Sequence, residues 1–164
     1  MSGCEVVVVE LESTLATLEM FVADFTDAEL LVRPVPGANH AAWQLGNVIV
    51  GDPFLVTAEL PGVAYPEFPA GFADLHGGKG SKLDADAGFL TKDGYLTLLR
   101  EVRAATVAAV RKLSDADLSK PSSEKMQWAG PTLAHVLLFA AQHTMQHAGQ
   151  FSVIRRKLGK PVLF

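Results

Sequence analysis

Two histidines stand one helical turn apart in "QHTMQH", where His143 and His147 interrupt a long apolar segment. Residues four apart on an α-helix lie about 40° from each other around the axis, so both imidazoles point the same way and can share one metal ion. The stripe they belong to runs through Leu133, Val136 and Ala140, then the two histidines, then Phe151 or Gln150, Ile154 and Leu158. They therefore occupy core positions. Burying neutral imidazoles costs free energy unless each polar nitrogen is satisfied, and hydrogen bonds or a metal both serve. The pair is not a zincin motif, because Thr144 stands where a general-base Glu must follow the first His.

Other chemistry is thinly represented. Cys4 is the only cysteine, which excludes an intrachain disulfide or a Cys-rich zinc cluster and suits a reducing cytoplasm. Its place near the N-terminus, where chains fray, argues against a nucleophile. A formal net charge of −4 with no long basic run makes nucleic acid a poor partner. The opening "MSGCEVVVVELE" has no basic n-region, and no apolar run approaches the ~20 residues a spanning helix needs, so neither a secretory signal nor a membrane partner is expected. With 164 residues, 49% hydrophobic and 20% charged, the chain fits one cytoplasmic globular domain over 1–164.

The elements that must carry the histidines are helical. Val8, Leu11, Leu15, Leu18, Val22 and Phe25 recur in steps of three and four, which predicts a helix over about 5–26 despite the strand-forming valines at 6–9. A breaker-rich "RPVPGANH" precedes a second helix over about 39–60, in which Pro53 predicts a kink or restart with Asp52 as a local cap. Residues 61–90 hold six Gly and three Pro with little periodicity, the composition of a lid or mobile crossover. A third helix from about Thr91 to Leu113 places Tyr95, Leu98, Val102, Ala109 and Leu113 inward and leaves Arg100, Arg103 and Arg111 to water. The fourth begins near Pro131 and stops at Gly159 and Pro161. The fold expected is all-α: a four-helix bundle with one long irregular loop between helices two and three.

Two blocks resemble a known family. "NHAAWQLGN" at 39–47 is similar to the N-H-x-A-W-x-L-G-H of the DinB-like (DinB/YfiT) superfamily of bacterial four-helix bundles. "HTMQHAGQFSVIRRKLGKP" at 143–161 is similar to that family's H-x-x-x-H-A-G-Q…RR…G-x-P ending. The resemblance implies a divalent transition metal, zinc or nickel, held by three side chains, here His143, His147 and position 47. Position 47 is Asn where the family has His, and an amide oxygen is a weaker donor to such metals. His40 precedes Asn47 by seven residues, about 10 Å by helix rise, and is expected to cap or brace the helix start instead.

Gln44 and Gln150 are candidates to support the histidines from behind or to bind a cofactor or substrate beside them, with surface or core-edge hydrogen bonding as the alternative. The alternative for helix two is that His40, Gln44, Asn47 and Gly51 form a stripe facing water. Arg155, Arg156, Lys157 and Lys160 complement a helix C-terminus, with an anion site for a thiol cofactor's carboxylates as the sharper idea. Trp43, Trp128 and Phe139 read as packing residues. Two functions follow from the resemblance: a metal-dependent thiol transferase or hydrolase acting on a small molecule, or a noncatalytic dimeric bundle that binds a small ligand without a tight metal. A homodimer is expected in either case.

Overall fold

The computed structural model describes residues 1–78 and 88–163. Four long helices carry the architecture: α1 (Gly3–Val22), α3 (Ala41–Glu59), α5 (Lys92–Val110) and α7 (Leu133–Lys157). They close on one another in the cyclic order α1, α7, α3, α5, so each packs on two neighbours around one core. Among the described residues, the short helices α2 (Asp27–Leu30), α4 (Phe72–His76) and α6 (Asp115–Leu118) and a 3-10 turn at Glu124–Met126 fill the connections. There is no strand among the described residues beyond one isolated bridge between Pro121 and Thr132. The protein is an all-α bundle, and none of its described helices is long and apolar enough to cross a membrane.

Local chemistry sets the helix ends. Ser2 and Glu5 form a capping box, and Asp115 accepts from the backbone N–H groups of Gly3 (3.0 Å) and Cys4 (3.0 Å). The N-terminus expected to fray is thereby pinned, and Cys4 is buried beneath it. The first helix stops at Val22 rather than 26, because Thr26 and Glu29 form a second capping box that starts α2. Phe25 nonetheless reaches the core. Pro53 neither ends nor restarts α3, which runs through it. Asp52 is not a cap; it is buried and bound elsewhere.

The segment at 61–90 is less irregular than its composition suggests, since it contains α4 and returns to the core through Phe72 and His76. Residues 79–87 of the expected lid lie outside the described residues.

The largest correction lies in the bundle's centre. Arg103, expected in water, is 1% exposed, and its guanidinium touches all four long helices. It donates to the Leu11 carbonyl on α1 (3.1 Å), to Asp52 Oδ1 on α3 (3.3 Å) and to Thr144 Oγ1 on α7 (2.7 Å), from its own place on α5. Its Nε lies 3.0 Å from Asp52 Oδ2 in an ion-pair contact. Thr106 Oγ1 donates to the same Oδ2 (3.1 Å), and Tyr65 Oη lies 2.9 Å from that hydroxyl. Burial pushes the Asp52 carboxyl up, while the Arg103 charge and the Thr106 hydroxyl pull it back.

Candidate functional site

His40 caps α3 with its own ring, Nδ1 accepting from the Trp43 backbone N–H at 3.1 Å. From that start, positions 44, 47 and 51 fall on one face, and the packing of α3 on α7 turns it inward. His40 and Gln44 are buried and Asn47 is half-buried, so the stripe does not face water. His143 and His147 meet it from α7. His143 Nε2 lies 3.1 Å from Asn47 Oδ1, His147 Nε2 lies 3.1 Å from the same oxygen, and the two Nε2 atoms are 3.2 Å apart. Gly51 leaves room for this, since an added Cβ there would lie 2.9 Å from His143 Nδ1.

Hydrogen bonds around the corner fix what it presents. Asn47 Nδ2 donates to the backbone carbonyl of His76 at 2.8 Å, an oxygen that can only accept, so Oδ1 is the end turned to the histidines. Gln44 Nε2 donates to the Asn39 carbonyl at 2.8 Å, leaving Oε1 to accept from His147 Nδ1–H at 3.1 Å. That bond places the His147 proton on Nδ1 and leaves Nε2 a bare lone pair. Three electron-rich atoms thus converge, and a neutral His143 has at most one proton to place among them.

A cation would resolve that shortage. An ion about 2.1 Å from each of three donors needs them about 3.0 Å apart at right angles and about 3.4 Å apart at the tetrahedral angle. The observed separations of 3.1 to 3.2 Å fall between these values. The donor set fits a small divalent ion on one face and leaves its other positions open. Among the described residues no three His, Cys, Asp or Glu side chains come together, so a three-donor set here depends on the Asn47 oxygen.

The histidines are held neutral. Burial pulls the His147 pKa down to about 3, with the neighbouring His143 adding to the effect. His143 is lowered by burial and then by the Arg103 charge. In the metal-free protein the unfolded chain therefore takes up a proton near pH 6.5 that folded His147 refuses until about pH 3. Stability is lost as pH falls through that window, at about 1.4 kcal/mol per pH unit. Urea unfolding should show metal-free protein about 2 kcal/mol less stable at pH 5 than at pH 7 on this account. His147→Gln should remove most of that difference; an undiminished loss in the variant would place the titration elsewhere.

The sequence profile of the DinB superfamily matches residues 10–151, which is most of the chain and takes in α3 and α5 whole and the greater part of α1 and α7. The chain belongs to the DinB superfamily. None of the curated proteins compared with it matches. In this DinB-superfamily bundle the matched span includes Asn47, His143 and His147, the residues that meet at the corner.

Other expected residues are placed differently. Gln150 is exposed, because Phe151 takes the inward position one turn beyond His147. Gln44 touches His147 from behind rather than facing the cleft. Arg155 is not free to take an anion: its guanidinium is closed by Asp24 (3.2 Å to Oδ2) and the Phe21 carbonyl (2.9 Å). Lys160 is held by the Asp24 carbonyl (2.8 Å) and by Glu29 (3.0 Å). Trp128 is 60% exposed rather than packed inside, lying edge-on to Phe139 at a centroid distance of 5.0 Å.

One contributor had no signal in the sequence. His76 sits in the Gly-rich connection, fully buried, its Nδ1 2.8 Å from the Phe72 carbonyl and its Nε2 2.7 Å from Tyr95 Oη. It fits because residue 46 is Gly: an added Cβ would lie 1.9 Å from the His76 ring.

Proposed function

We propose that this DinB-superfamily protein binds one divalent transition ion, zinc or nickel, through His143 Nε2, His147 Nε2 and Asn47 Oδ1. Its activity would be thiol transfer or hydrolysis of a small molecule in the adjoining cleft. The observation that carries this reading is the meeting of three lone-pair atoms at 3.1 to 3.2 Å with at most one proton among them.

When bound, such an ion supplies Lewis acidity, lowering the pKa of a thiol or water at an open position. The chain's own residues do the rest. Gln44 fixes the tautomer and ring plane of His147, as partners behind metal-binding imidazoles commonly do. The His76 carbonyl holds the Asn47 amide with its oxygen forward. Phe54, Leu55 and Phe139 wall the cleft with hydrocarbon on the side on which His143 opens.

Protein purified without an affinity-tag metal and titrated with zinc tests the reading. Wild type should bind one equivalent, and His147→Ala should weaken binding by at least about 100-fold, the loss of a directly bonded imidazole exceeding that of a partner behind it. Equal binding by both proteins would sink the assignment. The neutral amide at position 47 favours a second reading, a noncatalytic bundle that uses the same cleft for a small ligand without a tight metal. Absence of zinc uptake by wild type would leave that one standing.

A further inference from the structure

The cleft beside the corner has a volume of about 660 Å³, within the range of sites for small organic ligands. Its walls are hydrocarbon. Val50, Phe54, Leu55, Phe68, Trp128 and Phe139 line it, and the polar side chains that reach it are Asn47 and His143. No Asp, Glu, Lys or Arg is among its described lining residues. Polarity is thus concentrated at one end and absent from the rest.

Aromatic surface connects the mouth to that end. Phe54 and Trp128 are 54% and 60% exposed, an unusual state for two large rings facing one cavity. Trp128 meets Phe139 edge-on, and the Phe139 ring lies within 8° of parallel to the His143 imidazole, with centroids 6.4 Å apart. Lys125, at the rim, rests over the Phe54 ring with Nζ 5.6 Å from its centroid and does not line the cleft. The buried arginines are occupied: Arg103 by Asp52 and Arg155 by Asp24.

We propose that the ligand of this cleft is an uncharged aromatic small molecule with a single N, O or S donor atom. Its rings lie against Phe54, Trp128 and Phe139, and its donor atom is directed at the His143–Asn47 end. The described lining selects against an anion along its hydrocarbon walls, because it holds no basic side chain and a carboxylate laid against Phe54, Trp128 and Phe139 would shed hydration without an ion-pair partner among those residues. Ring burial is favourable, and the exposed faces of Phe54 and Trp128 gain cover in the same step. This inference rests on the reading of the cleft as a small-molecule site, with or without a metal.

Two fluorescent probes with the same rings separate the alternatives: uncharged N-phenyl-naphthylamine and the anilinonaphthalene sulfonate that differs by one negative charge. Titrated into the full-length protein, the uncharged probe should bind at least about 10-fold more tightly. Phe54→Ala and Trp128→Ala, at positions more than half exposed and outside the buried core, should each weaken it by about 10-fold. Val153→Ser, at an exposed α7 position outside the cleft, should leave it unchanged. Equal or tighter binding of the sulfonate, or binding indifferent to both aromatic substitutions, would overturn the proposal. Zinc titration of the same preparations keeps the two readings apart. Lost probe preference with intact zinc binding refutes the ligand class alone, and intact probe preference without zinc binding refutes the metal alone.

Discussion

Replacing Asn47 with His should raise zinc affinity by at least about 10 to 100-fold, or roughly 1.4 to 2.8 kcal/mol. Changes in residues that merely support metal ligands have effects of that size, so exchanging a directly bonding group should do no less. Geometry favours the exchange. The first ring nitrogen of His hangs from Cγ just as Oδ1 does in Asn, so an imidazole at 47 can place a lone pair where the amide oxygen now sits, 3.1 Å from both Nε2 atoms. Imidazole is also the stronger donor to zinc and nickel. Opposing this, the bond from Asn47 Nδ2 to the His76 carbonyl is lost, at about 1 kcal/mol. Calorimetric titration of wild type and Asn47→His, with His147→Ala as the negative control, measures the net effect. Unchanged affinity would mean that position 47 lies outside the coordination shell, and the catalytic reading would fall with it.

Arg103→Met should be the most destabilising single change in the bundle, by about 3 to 5 kcal/mol. The substitution keeps much of the side chain's apolar bulk and removes the charge that faces Asp52, leaving a 1% exposed carboxylate with the Thr106 hydroxyl as its remaining partner. It also removes the donor to Thr144 Oγ1 and one of the donors to the Leu11 carbonyl. Pairing it with Asp52→Leu should recover much of the loss, since removing both charges relieves the desolvation that removing one exposes. Urea unfolding of the two single variants and the double variant measures this. A single variant within about 1 kcal/mol of wild type would show that water reaches Asp52 in the native state.

Periodicity carried the fold, because four amphipathic helices of about twenty residues leave a pattern that short-range chemistry cannot mask. It also carried the histidine pair, whose spacing on one face needs no tertiary information. Position 47 came from the resemblance to a family, and its orientation from neither. That depends on which backbone carbonyl lies behind the amide, and the carbonyl belongs to His76, twenty-nine residues away in a stretch without period. Arg103 departs from its sequence expectation for a different reason. Leu96, Leu99, Arg103, Thr106 and Val110 follow the same steps of three and four as any core stripe, but a charge on such a stripe reads as surface until its partners are in place. A buried arginine is stable only with partners from other helices, and Asp52, placed beside a proline that suggested a cap, gave no hint of being one.

The amide at position 47 has two unlike ends, an oxygen that accepts and a nitrogen that donates. Rotated by half a turn about its last bond, Asn47 would offer the histidines an N–H in place of a lone pair. A corner with at most one proton among its three facing atoms would then become a self-contained hydrogen-bonded knot. What forbids the rotation is the carbonyl of residue 76, delivered by a five-residue helix wedged against Gly46. On the proposed reading, docking of that helix and capture of an ion would be bound by reciprocity, each strengthening the other by the same free energy. An asparagine in a histidine's place makes the site answerable to the loop above it.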